Sequence, residues 1–486
     1  MCEIPLDKTT MQRSILLAGL VGALFTIGLF VLNLAAMGIS PDHYRKVVED
    51  AATDGSFLRT LHLPLSSRKD IVRYDGNDCL ILEMLLLPRE SRVKASISPR
   101  FATLSDLGPT GDVPGYATLP HCKVLAAVMD PGRSGPIPMA YYHRYLHGDF
   151  TVAALLLAVL QFAAVGKLLL LLCYGAFAAL AATALVRMRG AATRQRYRAA
   201  AFLVIAIVLA VFYGLPQFGG SLSFAPTDLV IAGFLLFGLV RPVCCLSERS
   251  FVIASATFGA AIAIFEFLTG GIPMALATLI TMVALGEARD GGTLVRRLWL
   301  GVLSFSTAVV ACFACKFVVV AMIWGSNEIA DAILTLYDRL EGSIAARVPP
   351  ELAAVMVQLG LDVGSVDSNV IVRVLLVGVM LTYSAFILGL GSHVLGAALV
   401  LVPLPALAFL TCRALRRVRP SQWMEQPQAL LLLAGLVPVI WYLVFTNHTF
   451  THSYMMVRPM ALDIALALIT ASMGRVDAGQ VPTAPR

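Results

Sequence analysis

The chain has 486 residues, of which 58% are hydrophobic and only 14% charged, and its formal net charge is +7. A soluble domain carries about 25% charged residues, and several runs in this chain are long enough to cross a hydrocarbon core of about 30 Å. The composition excludes a soluble globular protein and predicts an all-α polytopic integral membrane protein. The basic residues lie in short clusters between apolar runs, where they orient helices, so the charge does not indicate nucleic-acid binding.

The first apolar run is followed by a long polar segment. Residues 1–38 are predicted to be a short cytoplasmic tail and an uncleaved signal-anchor helix, because the run from Ser14 to Met37 is too long for a signal-peptide core. Residues 39–148 mix helical, apolar and Pro/Gly-rich stretches, which predicts a large ordered loop. Five arginines within 187–198 give the strongest positive-inside signal. They place that cluster in the cytoplasm and the loop in the periplasm, and the composition is typical of a bacterial inner membrane.

The rest of the chain is predicted to consist mainly of membrane helices. Residues 149–323 are interpreted as a short interfacial helix at about 149–162 followed by helices 2 to 7. Those six helices are expected at about 165–187, 199–216 and 224–240, in a hairpin of two short helices within 251–286, and at 299–323. A second periplasmic segment, partly helical, is expected at 324–369, and C-terminal membrane helices at 370–486.

Residues 370–411 are compatible with one membrane crossing or with two. Two crossings would place the arginines between 413 and 419 outside, against the positive-inside rule. The single crossing, with one half re-entrant or interfacial, is preferred because it removes that conflict. Helices at 428–446 and about 460–474 then bring the total to ten, or to eleven with two crossings.

Two of the nine cysteines predict a disulfide. Cys79 and Cys122 are the only cysteines in the 39–148 loop, and a periplasmic location would permit their oxidation. Cys312 and Cys315 lie inside an apolar helix with no second ligand pair, so they are poor zinc ligands.

Two aspartates of the loop lie close together in Tyr74-Asp75-Gly76-Asn77-Asp78. A carboxylate placed near an acceptor hydroxyl can act as a general base, and Asp-x-x-Asp can also hold a divalent cation through oxygen ligands. The alternative is a turn whose Asp and Asn side chains cap backbone N–H groups.

Two charged residues lie within or between the predicted membrane helices. Lys316 is well inside helix 7, and charged groups at membrane depth are costly and often functional. It is interpreted as a cation that faces an anionic ligand in an outward cavity; the alternatives are a snorkelling lysine or a structural ion pair. Glu266, in the turn between the two short helices, is a further outer-face carboxylate, and a turn-forming role is the alternative.

Histidines and arginines form two further polar clusters near the predicted membrane helices. They are His143, Arg144 and His147 before the interfacial helix, and His448, His452 and Arg458 after the 428–446 helix. Each histidine pair has i,i+4 spacing and would share a helix face, but neither is part of a His-Glu-x-x-His zinc motif. These groups are predicted to hydrogen-bond a phosphate or sugar rather than to bind a metal, because the arginine fork suits a phosphate. A polar interfacial turn is the alternative for the C-terminal cluster.

These blocks resemble those of a loosely defined family of bacterial polytopic membrane proteins, most of them uncharacterised. The matching blocks are Tyr74-Asp75-x-x-Asp78-Cys79, Tyr142-His143-Arg144-Tyr145-Leu146-His147-Gly148, Glu266-Phe-Leu-Thr, Cys315-Lys316-Phe and Asn447-His448-x-x-x-His452-x-x-x-x-x-Arg458. The family's architecture is similar to that of GT-C glycosyltransferases, in which the first outer loop carries catalytic acidic residues and the donor is a polyprenyl-phosphate sugar. The usual GT-C acidic pair would be Glu49-Asp50 here, whereas the family-like aspartates are Asp75 and Asp78.

The resemblance implies a periplasmic-face glycosyltransferase with a polyprenyl-phosphate sugar donor and a glycan or lipid acceptor in the cell envelope. Asp75 or Asp78 would be the catalytic base, and the lysine, arginines and histidines would hold the donor phosphate. Neither a metal nor another cofactor is assigned, although a divalent cation fits the aspartates. The alternatives are a transporter or flippase of a lipid-linked sugar and a non-catalytic component of an envelope-assembly complex.

Overall fold

A computed structural model of the chain shows an all-α polytopic membrane protein, as the composition predicts. The structure describes residues 7–57, 60–62, 70–72, 76–102, 120–132, 137–266, 269–286, 291–345, 348, 353, 356–358, 364, 367–388, 393–416 and 418–478.

The first third of the described chain holds one long helix and a small mixed domain. Its helices are α1 (Lys8–Ala36), α2 (Pro41–Thr53), α3 (Gly76–Leu86), α4 (Arg92–Ile97), α5 (Pro120–Met129) and α6 (Gly148–Leu157). Its strands are β1 (Thr60–His62), β2 (Asp70–Val72), β3 (Arg100–Ala102) and β4 (Met139–Tyr141). The strands form two antiparallel pairs, β1 with β2 and β3 with β4, and Phe101 is opposite Ala140 in the second pair.

The remaining helices form the membrane bundle and its short connections. They are α7 (Phe162–Met188), α8 (Thr193–Phe212), α9 (Leu215–Phe218), α10 (Ala225–Val240), α11 (Glu248–Phe265), α12 (Gly271–Ala284), α13 (Gly291–Trp324), α14 (Asn327–Glu341), α15 (Val370–Leu388), α16 (His393–Leu401), α17 (Pro403–Leu415), α18 (Pro427–Val444), α19 (Thr446–Thr451), α20 (Ser453–Met456) and α21 (Ala461–Ala478). Three 3-10 turns lie between them, at Val243–Cys245, Pro420–Glu425 and Arg458–Met460.

Seven helical segments of the described chain are long and apolar enough to cross a membrane. They are α1, α7, α8, α11, α13, α18 and the segment Ser453–Met473; α16 and α17, bent by 42°, make an eighth if they form one span. The predicted ten or eleven crossings also require shorter apolar helices. Of these, α10 and α12 have 16 and 14 residues, so they extend over about 24 and 21 Å at a rise of about 1.5 Å per residue, less than a bilayer core of about 30 Å.

The arginine-rich segments meet at one end of the bundle, which we call the arginine end. It carries the arginines between 187 and 198, Arg296, Arg297, Arg413, Arg416 and Arg419. Three contacts join its segments: Tyr197 donates a hydrogen bond to the carbonyl of Ile469 over 2.9 Å, Arg297 donates to the carbonyl of Leu246 over 2.7 Å, and Gly291 lies against Glu425. The positive-inside signals therefore coincide in space, which the rule requires of one side of a membrane.

The described residues between 37 and 147 form a small domain that packs on the opposite end, which we call the loop end. Asn33, near the end of α1, donates a hydrogen bond to the carbonyl of Ser96 over 3.0 Å, and Tyr44 donates to the carbonyl of Ala154 over 3.1 Å. Buried hydrophobic residues of α2, α3, α5 and α6 continue into the membrane core. The described parts of the polar segment after α1 therefore form a cap on the bundle.

Residues 370–415 connect the two ends. The end of α15 lies at the loop end, where Gln217 donates a hydrogen bond to the carbonyl of Leu388 over 2.8 Å and the hydroxyls of Ser384 and Ser453 are 2.8 Å apart. Near the end of α17, Thr411 donates over 3.4 Å to the carbonyl of Gln428, next to the Pro420–Glu425 turn at the arginine end. The helices α16 and α17 thus run from one end to the other and leave Arg413, Arg416 and Arg419 at the arginine end.

Candidate functional site

The segment 141–148 is held between the loop-end termini of α11 and α13. His147 precedes α6 in the left-handed region, with φ of 64°, and one of its ring nitrogens is 2.7 Å from the carbonyl oxygen of Tyr142. Gly148 follows because a Cβ there would overlap with Ile264. The buried ammonium group of Lys316 donates a hydrogen bond to the carbonyl of Tyr145. Lys316 therefore anchors this segment to α13.

The side chain of His147 is fully buried. Burial lowers its pKa well below the usual value, the charge of Lys316 adds to that effect, and the hydrogen bond with Tyr142 opposes it. Burial favours the uncharged form of an imidazole, so His147 is a neutral hydrogen-bonding group in this position.

A cavity of about 450 Å³ opens beside the same segment. Its walls come from β3, β4, the chain after β4 and α14, and they consist of Phe101, Met139, Ala140, Tyr141, Tyr142, His143, Arg144, Glu328 and Ala332. Trp324, the last residue of α13, stands next to it with its ring centroid 4.8 Å from that of His143. The cavity is therefore at the membrane boundary of the loop end.

Three titratable side chains line this cavity, those of His143, Arg144 and Glu328. His143 is 2.9 Å from the hydroxyl of Ser98 through Nδ1 and 3.4 Å from a carboxylate oxygen of Glu328 through Nε2. The guanidinium of Arg144 lies 5.9 Å from the centroid of the Tyr142 ring. Because the Glu328 side chain is 46% exposed, its carboxylate is accessible from the cavity. The result is an acid–base pair and a cation within one aromatic-lined pocket.

Three buried carboxylates lie deeper at the loop end. Asp78 accepts hydrogen bonds from the hydroxyl of Ser221 over 2.6 Å and from the N–H of Ser223 over 3.2 Å. Asp149, in the first turn of α6, accepts one from the N–H of Phe150 over 3.1 Å through Oδ1. Its Oδ2 has no hydrogen-bond partner among the described residues. Asp78 therefore ties the loop-end domain to the segment between α9 and α10.

Glu266, the third carboxylate, caps the start of α12. It accepts hydrogen bonds from the N–H groups of Thr269 and, over 3.1 Å, Ile272. Burial raises the pKa of Glu266 to about 7 against these N–H groups. Burial also raises the pKa of Asp149 well above its usual value, and the charges of Asp78 and Glu266 act in the same direction. Asp149 therefore lies within electrostatic range of the other two carboxylates.

Arg458 is engaged in a structural ion pair. Its Nη2 is 2.7 and 2.6 Å from the two carboxylate oxygens of Asp228, and its Nε donates to the carbonyl of Tyr213 over 3.1 Å. Its guanidinium also lies 4.2 Å from the ring centroid of Tyr213, 4.8 Å from that of Phe218 and 5.2 Å from that of Phe224. Arg458 does not line the cavity at His143, and these contacts differ from the phosphate-binding role that the sequence suggests.

The second histidine pair lies on the turn after α18. The rings of His448 and His452 are 4.6 Å apart, and His452 Nδ1 is 3.3 Å from the hydroxyl of Tyr454. Helix α19, which carries His448, packs against α14, the helix of Glu328. The pair is thus beside the cavity's outer wall without lining it.

The predicted disulfide is present, and the two predicted catalytic aspartates differ in whether the structure describes them. Cys79 and Cys122 are joined by a disulfide that links α3 to α5, with their Cα atoms 5.0 Å apart. Asp75 lies outside the described residues. Among the residues that the structure describes, no cluster of three or more His, Cys, Asp or Glu side chains could hold a metal ion.

Four acidic residues at or near the bundle interior were missed in the sequence. Asp149 directly follows the His147-Gly148 pair, and Asp228 and Asp463 interrupt apolar runs, so the cost of charge at membrane depth was an available signal. Glu328 had no such signal, because it is one of several charges on an amphipathic segment and only the tertiary structure places it opposite His143.

Comparisons of the chain with protein-family models, curated proteins and solved structures find no match.

Proposed function

We propose that this membrane protein is a glycosyltransferase that moves a sugar from a polyprenyl-phosphate donor to a glycan or lipid acceptor of the cell envelope. The observation that carries the proposal is the 450 Å³ cavity at the loop end, which joins the His143–Glu328 pair, Arg144 and aromatic rings at a membrane boundary. Its volume is within the usual ~300–1,000 Å³ of small-molecule sites. A lipid-linked sugar needs such a place, because its chain stays in the bilayer and its headgroup does not.

The groups of the cavity can be assigned to the steps of a sugar transfer. The carboxylate of Glu328 takes the proton of the acceptor hydroxyl, and the acceptor oxygen forms a bond to the anomeric carbon of the donor. The bond between that carbon and the phosphate oxygen breaks, and its electron pair leaves with the polyprenyl phosphate. Arg144 binds the phosphate and stabilises the charge that develops on it. His143, held by Ser98 and Glu328, orients the carboxylate.

This assignment differs from the one that the family resemblance implies. Asp78 is buried and already accepts hydrogen bonds from Ser221 and Ser223, so in this proposal it positions the loop-end domain. Lys316 acts in the same indirect way, because it holds the carbonyl of Tyr145 next to the cavity segment.

The proposed orientation follows from the two ends of the bundle. The arginine end would face the cytoplasm by the positive-inside rule, which puts the N-terminus inside and the cavity in the periplasm of a bacterial inner membrane. The Cys79–Cys122 disulfide supports the same orientation, because it requires an oxidising compartment.

The experiment that tests the proposal is complementation of a deletion strain, followed by analysis of its envelope glycans. Glu328→Gln and Arg144→Gln should each reduce the dependent glycan at least tenfold while the protein accumulates normally in the membrane. Glu49→Gln is the matched control, because Glu49 is exposed on α2 and stands at the usual GT-C acidic position. Normal glycan in both cavity variants would refute the proposal, and loss of glycan only in Glu49→Gln would move the base to α2.

One observation favours a second function, the transport of a lipid-linked sugar. Asp463 is buried in α21 against Gly435 of α18, and neither of its carboxylate oxygens has a hydrogen-bond partner among the described residues. Helix α18 also contains Pro438 in its interior. Acidic groups in membranes and interrupted helices are typical of transport pathways. Transport predicts that Asp463→Asn traps the lipid-linked sugar on one side of the membrane, whereas the transferase proposal predicts normal glycan in this variant.

A further inference from the structure

A second cavity, of about 460 Å³, lies at the arginine end, away from the proposed sugar site. It is a groove between α17, the Pro420–Glu425 turn and α18, lined by Thr411, Cys412, Leu415, Arg416, Trp423, Met424, Ala429, Leu432, Leu433 and Leu436. The proposed glycosyltransferase reaction uses none of these residues. The groove therefore needs a separate explanation.

The walls of the groove have the character of a membrane-facing surface. Leu432, Leu433 and Leu436 are partly buried on α18, a helix long and apolar enough to cross the bilayer. Side chains in that position contact acyl chains rather than water. The depth of the groove is therefore accessible from the hydrocarbon region.

The mouth of the groove carries positive charge and an interfacial aromatic residue. Arg416 lines the groove and is exposed, and Arg413 and Arg419 are exposed on the same stretch of the chain. Among the described residues, no ion pair joins a carboxylate to any of these three arginines. Trp423 is 44% exposed and donates a hydrogen bond from its indole N–H to the carbonyl of Val418 over 3.1 Å. Tryptophan is enriched at the headgroup level of membranes. The mouth of the groove is thus at the depth of lipid phosphates.

We propose that this groove binds an anionic phospholipid from the leaflet at the arginine end. One acyl chain lies along Leu432, Leu433 and Leu436, and the headgroup phosphate accepts hydrogen bonds from Arg416. Arginine suits this role because its planar fork donates to two phosphate oxygens at once. Basic pockets between membrane helices have this combination of an apolar wall and a cationic mouth. The proposal does not depend on the sugar-transfer function.

Charge complementarity favours an anionic lipid over a zwitterionic one. A choline or ethanolamine headgroup would bring its own cation next to the arginines, whereas phosphatidylglycerol carries a net negative charge. Each basic residue near an anionic membrane surface contributes attraction worth about a fivefold change in affinity. The preference should therefore be measurable with a single substitution.

The test uses the purified full-length chain in nanodiscs that contain phosphatidylglycerol and phosphatidylcholine in equal amounts. Lipid that remains bound after extraction is identified by native mass spectrometry. The wild type is expected to retain phosphatidylglycerol selectively. The ratio of bound phosphatidylglycerol to bound phosphatidylcholine should fall about fivefold in Arg416→Gln and by less in Arg416→Lys. Arg189→Gln is the matched control, because Arg189 is exposed at the same end without lining the groove.

A second variant separates the groove from general surface charge. Ala429→Phe fills the groove without altering any charge and should displace the lipid; helical content by circular dichroism and a monodisperse elution profile verify that the variant folds. Equal retention of the two lipids by the wild type would overturn the proposal. So would an equal loss in Arg189→Gln and Arg416→Gln, or full retention in a folded Ala429→Phe variant.

Discussion

The buried pair of Asp228 and Arg458 offers the sharpest test of how the loop end is held together. Replacement of Arg458 by Met leaves the Asp228 carboxylate without its cation in a fully buried position. Removal of one partner from a buried ion pair costs about 3–5 kcal/mol. The expected loss in the free energy of unfolding is near the upper part of that range. The reason is that Arg458 makes two short contacts to Asp228, donates to the carbonyl of Tyr213 and is surrounded by aromatic rings.

The double variant Asp228→Leu/Arg458→Met should recover most of this loss. An apolar pair of similar volume avoids the desolvation of two charges, and such replacements are often neutral or stabilising. The free energy of unfolding can be measured in detergent micelles by titration with a denaturing detergent, with tryptophan fluorescence as the signal. Arg249→Met, at an exposed position, is the control and should change the free energy of unfolding by less than about 0.5 kcal/mol.

The outcome also decides the role of Arg458. If Arg458→Met is as stable as the wild type, the pair does not stabilise the fold. If the double variant is no more stable than Arg458→Met, the loss does not come from the unpaired carboxylate of Asp228. If Arg458 instead bound the donor phosphate, its substitution would reduce sugar transfer in a protein of normal stability.

Three further predictions concern the same end of the bundle. Burial raises the folded-state pKa of Glu266 to about 7, above an unfolded value of about 4.3. The stability that Glu266 contributes is therefore complete below about pH 4 and is lost as the pH rises through 7. The free energy of unfolding should fall in this window by up to about 1.4 kcal/mol per pH unit. Glu266→Gln should flatten this slope in unfolding titrations, and a stability that rises with pH in this window would contradict it. Gly148→Ala should lower the free energy of unfolding by about 1–3 kcal/mol through overpacking, whereas Gly175→Ala, whose Cβ would meet open space, should not. Reduction of the Cys79–Cys122 bond should cost about 2–5 kcal/mol and slow the chain on a denaturing gel; unchanged mobility and unfolding would show that the thiols are free.

Much of the fold could be predicted because the bilayer imposes strong rules on sequence. Apolar runs of sufficient length must form helices, since unsatisfied backbone groups are too costly in hydrocarbon. The interfacial helix α6 and the first long helix α1 lie close to their predicted positions for this reason. The number of crossings was less predictable, because α10 and α12 are apolar but shorter than the bilayer core.

The sequence could predict which residue types form the candidate site and at which end of the molecule they lie. It could not predict which side chains pair with each other there. The density of polar groups in 141–148 marked this segment, and the structure places His143 and Arg144 in a cavity. Sequence alone could not pair Arg458 with Asp228 or His143 with Glu328. Both contacts join residues more than 180 positions apart, and no local pattern specifies which distant charge will satisfy a buried one.

The sequence by itself determined the class of the protein, the position of its long helices and the end that carries its arginines, because those depend on hydrophobicity and charge counted along the chain. The tertiary structure alone decided which polar side chains are structural and which face a cavity. The physical reason is the cost of desolvation: a charge in a low-dielectric interior must find a partner. Lys316 found the carbonyl of Tyr145 and Arg458 found Asp228, which leaves Arg144 and Glu328 as the charged groups that line the cavity.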